Sequence, residues 1–179
     1  MGKKIVVLNG SPRPRGNTAG LINAFAEGAE GAGHTVNVFF LADMNIKGCI
    51  GCFGGGKNPD SPCVQKDDMD MIYPAYIAAD IVVLASPLYY WTLNGQLRIA
   101  FDRLFAVEEC GTNPIKDCIL IMAAEGSGFE ETVYYYNNLM KHMGWNSLGM
   151  VLADGVRDQG DVEGMPIIEE ARRLGASIK

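Results

Sequence analysis

Short apolar runs alternate along this chain with longer stretches whose apolar residues recur at helical spacing. Lys4 to Asn9 is apolar on both faces, as a buried parallel strand is, and is ended by Gly10, Ser11 and Pro12. Asn17 to Gly31 carries Leu21, Ile22, Phe25, Ala26 and Ala29 on one helical stripe, and Gly33 closes it. A second strand is predicted over Thr35 to Leu41, and a third over Asp80 to Ser86, broken by Pro87. Between them lies a Gly-rich loop, Ala42 to Asp67, and a helix starting at Asp67 and Asp68, in which Pro74 predicts a kink or a late start. Asn94 to Val107 is an amphipathic helix, Asp117 to Ala124 a strand, Phe129 to Met143 a helix, Trp145 to Ala153 a strand and Met165 to Gly175 a closing helix.

That alternation predicts an α/β fold: a parallel sheet with helices on both faces, because right-handed crossovers return each strand in the same direction. In a flavodoxin-like five-stranded sheet of order 2-1-3-4-5, a three-layer sandwich, the topological switch lies between the first and third strands. Gly10 to Thr18 and Ser86 to Leu93 then face one another at the carboxyl edge, where a ligand binds. No linker or charge block divides the chain, so residues 1–179 are expected to form one domain.

The 179 residues, 48% hydrophobic and 20% charged, have the composition of an ordinary globular domain, and the net charge of −6 argues against a broad grip on nucleic acid or an anionic membrane. The longest apolar runs are too short to span a bilayer, and the N-terminal segment matches neither a secretory signal nor a myristoylation motif, which places the protein in the cytoplasm. Five cysteines without an export signal read as thiols, metal ligands or redox sites, not as a disulfide framework.

The loop from Asn9 to Thr18 leaves a strand and enters a helix, where free amides and the helix dipole favour an anion. Ser11 and Thr18 offer hydroxyls, Gly10 and Gly16 permit close backbone approach, and Arg13 or Arg15 can add charge. No Lys precedes Thr18, and Pro12 stands where a second glycine would be, so neither a P-loop nor a dinucleotide turn is supported. In the second loop Tyr89, Tyr90 and Trp91 suit a flat ligand with an apolar face and a polar edge.

Gly10-Ser11-Pro12-Arg13 with Gly16-Asn17-Thr18, and Ser86-Pro87-x-Tyr89 with Gly95, Leu97, Asp102 and Arg103, resemble the motifs of the NADPH-dependent FMN reductase and iron–sulfur flavoprotein group of the flavodoxin-like superfamily. The likeness runs from Lys4 to about Gly155, with Arg98 where Lys is usual. It implies FMN as cofactor, its phosphate held by Ser11, Arg13, Gly16, Asn17 and Thr18, and its ring lined by Pro87, Leu88, Tyr89, Tyr90 and Trp91. Glu125 and Gly126, in the Ala123 to Gly128 loop, are the third contact. The activity implied is electron transfer from NAD(P)H through the flavin to a quinone, free flavin or other small acceptor, with ping-pong kinetics and no protein acid or base. The alternative is an electron carrier, flavodoxin-like or of the iron–sulfur flavoprotein kind. Members of the group are commonly dimers or tetramers, so a homo-oligomer is expected.

Cys49, Cys52 and Cys63 resemble the region where iron–sulfur flavoproteins carry C-x-x-C-x-x-C and a further Cys, but position 55 is Gly. A [4Fe-4S] cluster takes four thiolates and this loop supplies three, so no metal site is expected unless Cys110 folds over it. Cys118 reads as a small buried hydrophobe, His34 and His142 as surface or capping residues, and Asp102 and Arg103 as a structural pair on one helix.

Overall fold

The computed structural model describes residues 2–56, 58, 60–111 and 116–179. Five parallel strands form the central sheet: β1 (Lys4–Asn9), β2 (Thr35–Phe40), β3 (Ile81–Tyr89), β5 (Asp117–Ala123) and β6 (Asn146–Ala153). Their spatial order, β2-β1-β3-β5-β6, is the 2-1-3-4-5 order of the doubly wound fold. A two-residue strand, β4 (Thr92–Leu93), pairs antiparallel with the end of β3. Six α-helices, α1 (Asn17–Gly31), α2 (Met69–Ala78), α3 (Gly95–Arg103), α4 (Phe105–Glu109), α5 (Glu130–Met143) and α6 (Pro166–Ala176), and one 3-10 turn at Leu41–Asp43 complete the element set among the described residues.

Alternate residues of the buried strands feed two separate cores. Val6, Leu8, Val82, Leu84, Leu120 and Met122 pack with side chains of α2, α3 and α5 on one face. Ile5, Val7, Ile81, Val83, Ile119 and Ile121 pack with α1 and α6 on the other. Two covered faces explain why these strands read as continuous apolar runs instead of alternating ones. Cys118 is fully buried in the first core, as its place in the sequence indicates.

Four expectations change. Pro87 does not end β3: the strand runs through it to Tyr89, since a proline φ suits extended backbone and the hairpin with β4 carries the pairing onward, Leu88 opposite Leu93 and Tyr89 opposite Thr92. The helix predicted over 94–107 is two, joined at Leu104, where the bonds shorten to the i→i−3 pattern (Leu104 N–H to Phe101 O, 3.0 Å; Val107 N–H to Leu104 O, 2.9 Å). Pro74 lies inside α2 without delaying its start, because the Asp67 carboxylate accepts the Met69 N–H at 3.2 Å. His34, read as a surface or capping residue, is buried and bonds backbone groups: Nδ1 accepts the Lys3 N–H at 3.0 Å, which leaves Nε2–H to donate to the Ile178 carbonyl at 3.1 Å.

Candidate functional site: a cleft at the carboxyl edge of the sheet

The first loop is folded by its own side chains. Ser11 N–H donates to the Asn9 Oδ1 at 3.0 Å, Arg13 N–H to the Ser11 hydroxyl at 3.2 Å, and Gly16 N–H to the Arg13 carbonyl at 3.1 Å. The chain thereby turns into α1 with Gly16 at its N-cap. Among the described residues no side chain caps the amides of that end, and no acidic residue stands in its first turn. The first-turn amides and the positive end of the dipole are therefore free to meet an anion.

This helix end opens into a cleft of about 290 Å³. Ser11, Arg13, Gly16, Asn17 and Thr18 form one side. Pro87, Leu88 and Tyr89 form the facing side, and Ala123, Ala124 and Glu125 the floor where β5 ends. Nine of the twelve residues singled out in the sequence thus line one cleft. Tyr90, Trp91 and Gly126 do not. Tyr90 and Trp91 are the two central residues of the β3–β4 turn, both at positive φ (48° and 59°), as a two-residue hairpin with primed geometry demands. That turn carries them to the rim, where Tyr90 is 92% exposed. The Trp91 carbonyl accepts the Thr132 hydroxyl at 2.8 Å, which anchors the turn to α5. Asn17 lines the cleft, but its side chain is committed elsewhere: Nδ2 donates to the Asp158 carbonyl at 2.9 Å and Oδ1 accepts the Val162 N–H at 3.3 Å.

Three residues come to the site unannounced. Val156 and Arg157 follow β6 and reach the cleft because Val156 N–H donates to the Ala124 carbonyl at 2.9 Å, extending the ladder past the strand ends. The Arg157 carbonyl accepts from the Arg13 guanidinium at 2.8 Å and so aims it, while the exposed Arg157–Glu125 ion pair at 3.2 Å adds little stability. The signal available was positional: Asp154-Gly155 leaves the last strand at the same carboxyl edge. Asn94 is the third. It sits before α3, where an Asn reads as a helix cap, yet its side chain does not cap α3. Its Nδ2 instead donates to the Gly10 carbonyl, and its Oδ1 accepts the Ser86 hydroxyl at 3.1 Å, while its own N–H donates to Ser86 Oγ at 2.9 Å. One buried amide therefore bolts the two loops together. Gly10 has to be glycine here, since a Cβ would lie 2.2 Å from Asn94 Oδ1 and 2.7 Å from Leu97 Cβ.

A larger cavity, about 630 Å³, lies apart from this cleft, between the cysteine loop and α3, α4 and α5. It has more room, but the helix start in its lining is that of the five-residue α4, which follows directly on α3 and carries Glu108 in its first turn, so the smaller cleft is the better anion site. Arg103 borders the larger cavity and pairs with Asp67, not Asp102: two parallel bonds of 2.6 and 3.1 Å join side chains that are both 1% exposed. Burial by itself would raise the Asp67 pKa, but the bonds from Arg103 and from the Lys47 and Met69 amides hold it below the usual carboxylate value.

The family described as NADPH-dependent FMN reductase matches residues 3–156. The chain belongs to that family. An iron–sulfur flavoprotein of Archaeoglobus fulgidus is 32% identical over 179 residues, covering 98% of this chain and 78% of the relative, and one of Methanocaldococcus jannaschii is 26% identical, covering 98% and 95%. Among solved structures, the NAD(P)H:quinone oxidoreductase from Methanothermobacter marburgensis superposes with a TM-score of 0.75 at 20% identity, covering 98% of this chain and 96% of that one. An FMN-dependent NADH-azoreductase from Bacillus anthracis gives 0.71 at 15% identity, covering 98% of each. These superpositions establish the flavodoxin-like fold.

Two groups are implied by the family and its relatives. The cleft fits FMN: an uncapped helix N-terminus with buried Ser11 and Thr18 beside it suits a phosphate, and Pro87, Leu88 and Tyr89 suit an apolar ring. The cysteine loop does not fit a cubane. Cys49 and Cys52 are exposed, Cys63 and Cys110 half-buried and Cys118 enclosed in β5, and among the described residues no three His, Cys, Asp or Glu side chains stand close enough to hold a metal ion.

Proposed function

We propose that residues 1–179 form a single FMN-binding domain that oxidises NAD(P)H and reduces a small acceptor such as a quinone or free flavin. The observation that carries this reading is the juxtaposition of the uncapped α1 terminus with the Pro87–Tyr89 wall across one cleft in a chain of this family. FMN, when bound, supplies the redox chemistry between donor and acceptor.

The protein's part is to bind and orient. The amides of Gly16 to Thr18, with Ser11 and the Arg13 guanidinium, hold the phosphate; Pro87, Leu88 and Tyr89 take the ring; Glu125 closes the third side. Tyr90 and Trp91, on the rim, bound the entrance through which donor and acceptor come in turn. Exposed Tyr90, Trp91 and Tyr134 also support a homodimer or homotetramer in which a neighbouring copy covers that rim. Among the described residues no helix is long and apolar enough to cross a membrane, which is compatible with the cytoplasmic setting proposed here.

The test is steady-state turnover with FMN-loaded protein, NADPH and a quinone, no other protein being present. Acceptor-dependent NADPH oxidation with parallel-line kinetics is expected. Tight FMN binding without such turnover would move the reading to an electron carrier, and failure to bind FMN would overturn both. Ser11→Ala should weaken FMN more than riboflavin, because only FMN has the phosphate; equal losses would remove Ser11 from its role.

A further inference from the structure

We propose that the loop between β2 and α2 is built without an iron–sulfur cluster, and that the buried Arg103–Asp67 pair is what organises it. The inference is independent of the flavin reading. Its first support is the shortage of thiolates set out above, since a cubane takes four. Its second is steric. Position 55 continues the three-residue spacing of Cys49 and Cys52, but it is glycine, and a Cβ there would lie 2.9 Å from the Pro62 carbonyl oxygen and 3.3 Å from Ala106 Cβ. Gly56 N–H donates to that same Pro62 carbonyl at 3.0 Å, so the contact belongs to a hydrogen-bonded pairing of the two legs of the loop and cannot simply swing away. Side-chain space is closed at the one place where the spacing calls for another thiolate.

The third support is what holds the loop instead. The Arg103 guanidinium donates to the Lys47 carbonyl on the outgoing leg at 2.7 Å, to the Gln65 carbonyl on the returning leg at 3.5 Å, and to both carboxylate oxygens of Asp67. Asp67 in turn accepts the Lys47 N–H at 3.1 Å, and Asp68 the Asn45 N–H at 2.6 Å. Tyr73 O–H donates to the Arg103 carbonyl at 3.2 Å and fixes the helix end that bears it. A planar fork with five donors can tie two chain segments and a carboxylate at once, a task that elsewhere falls to a metal centre.

The test uses the full chain, purified anaerobically and incubated with ferrous iron, inorganic sulfide and thiol before desalting. Iron well below one per chain is expected, with a thermal midpoint that a chelator leaves unchanged and that Cys49→Ser does not move. Arg103→Lys keeps the charge and loses the fork; it should lower the midpoint by about 10 °C and open a protease cut within residues 45–66. If that variant does not fold, Asp67→Asn is measured for the same two readouts. About four irons per chain that vanish in Cys49→Ser, or a midpoint that falls with chelator, would overturn the cluster-free loop. A wild-type midpoint and protease resistance in both Arg103→Lys and Asp67→Asn would overturn the organising role of the pair.

Discussion

Asn94→Ala tests the claim that the Asn94 amide helps to set the distance between the two loops, beside the Gly10 N–H bond to the Ala85 carbonyl at 2.8 Å. The substitution removes the donor to the Gly10 carbonyl and the acceptor for the Ser86 hydroxyl. Ser86 keeps partners, because the one hydroxyl proton can go to the Pro87 carbonyl 2.7 Å away and its oxygen still accepts the N–H of residue 94. Gly10 does not: its oxygen loses that bond in a site where Asn94 is 1% exposed, an orphaning that costs roughly 1–3 kcal/mol. The void left by the amide adds about 1 kcal/mol, so the whole loss is roughly 2–4 kcal/mol. In a chain of this size each kcal/mol moves the thermal midpoint by about 2–4 °C, giving a drop on the order of 5–15 °C. Urea and thermal unfolding of the FMN-free protein measure this. In parallel, a titration following the quenching of FMN fluorescence should show at least a roughly tenfold loss of affinity, equivalent to about 1.4 kcal/mol, since both sides of the cleft are released. Asn94→Asp, nearly isosteric, sets an oxygen against the Gly10 carbonyl and should be no better than Ala. An Asn94→Ala protein within about 0.5 kcal/mol of wild type and with unchanged FMN affinity would refute the bolt.

Gly10→Ala attacks the same joint from the other side; its methyl drives Asn94 away, and both stability (by roughly 1–3 kcal/mol) and FMN binding should fall, as unfolding and quenching titrations would reveal. Asp67 gives an acid-side signature. Its folded pKa is below the 3.8 of the unfolded chain, so its contribution is present above that value and lost as pH falls through the folded pKa; melting curves from pH 7 to pH 2 should show that loss, and Asp67→Asn should lack that component while melting lower at pH 7. Thiol chemistry should follow exposure. Cys49 and Cys52 should react with an alkylating reagent in the native protein, whereas Cys118, fully buried and with its thiol pushed by burial up to about 12, should be labelled only after unfolding, a difference that peptide mass mapping resolves.

The strand order was readable because each buried strand is apolar on both faces and each crossover carries a clear helical stripe, so a parallel sheet was the only economical arrangement. The cleft followed from the rule that ligands sit beyond the carboxyl ends of strands at the switch point. What escaped was long-range and polar. Asn94 looks like a cap by its neighbours in sequence, and nothing local reveals that its partners are Gly10 and Ser86. Arg103 has an acid beside it at Asp102, yet it bonds one 36 positions away, because the fold sets both Asp67 carboxylate oxygens against its guanidinium fork. The hairpin through the aromatic run was missed because Tyr and Trp are poor predictors of left-handed backbone, and Pro87 was given the power to stop a strand that it only deprives of one donor.

The hairpin that carries β3 past Pro87 bears on how quickly and how selectively the cleft is filled. A free loop on that side would have to freeze around its guest, surrendering motional freedom with each arrival. A ribbon already cross-bonded to β4 and tied through Trp91 to α5 arrives frozen, so occupancy demands little rearrangement and mis-shaped guests find no give in the wall. Such stiffness suits a wall whose task is to keep one flat occupant in a fixed place.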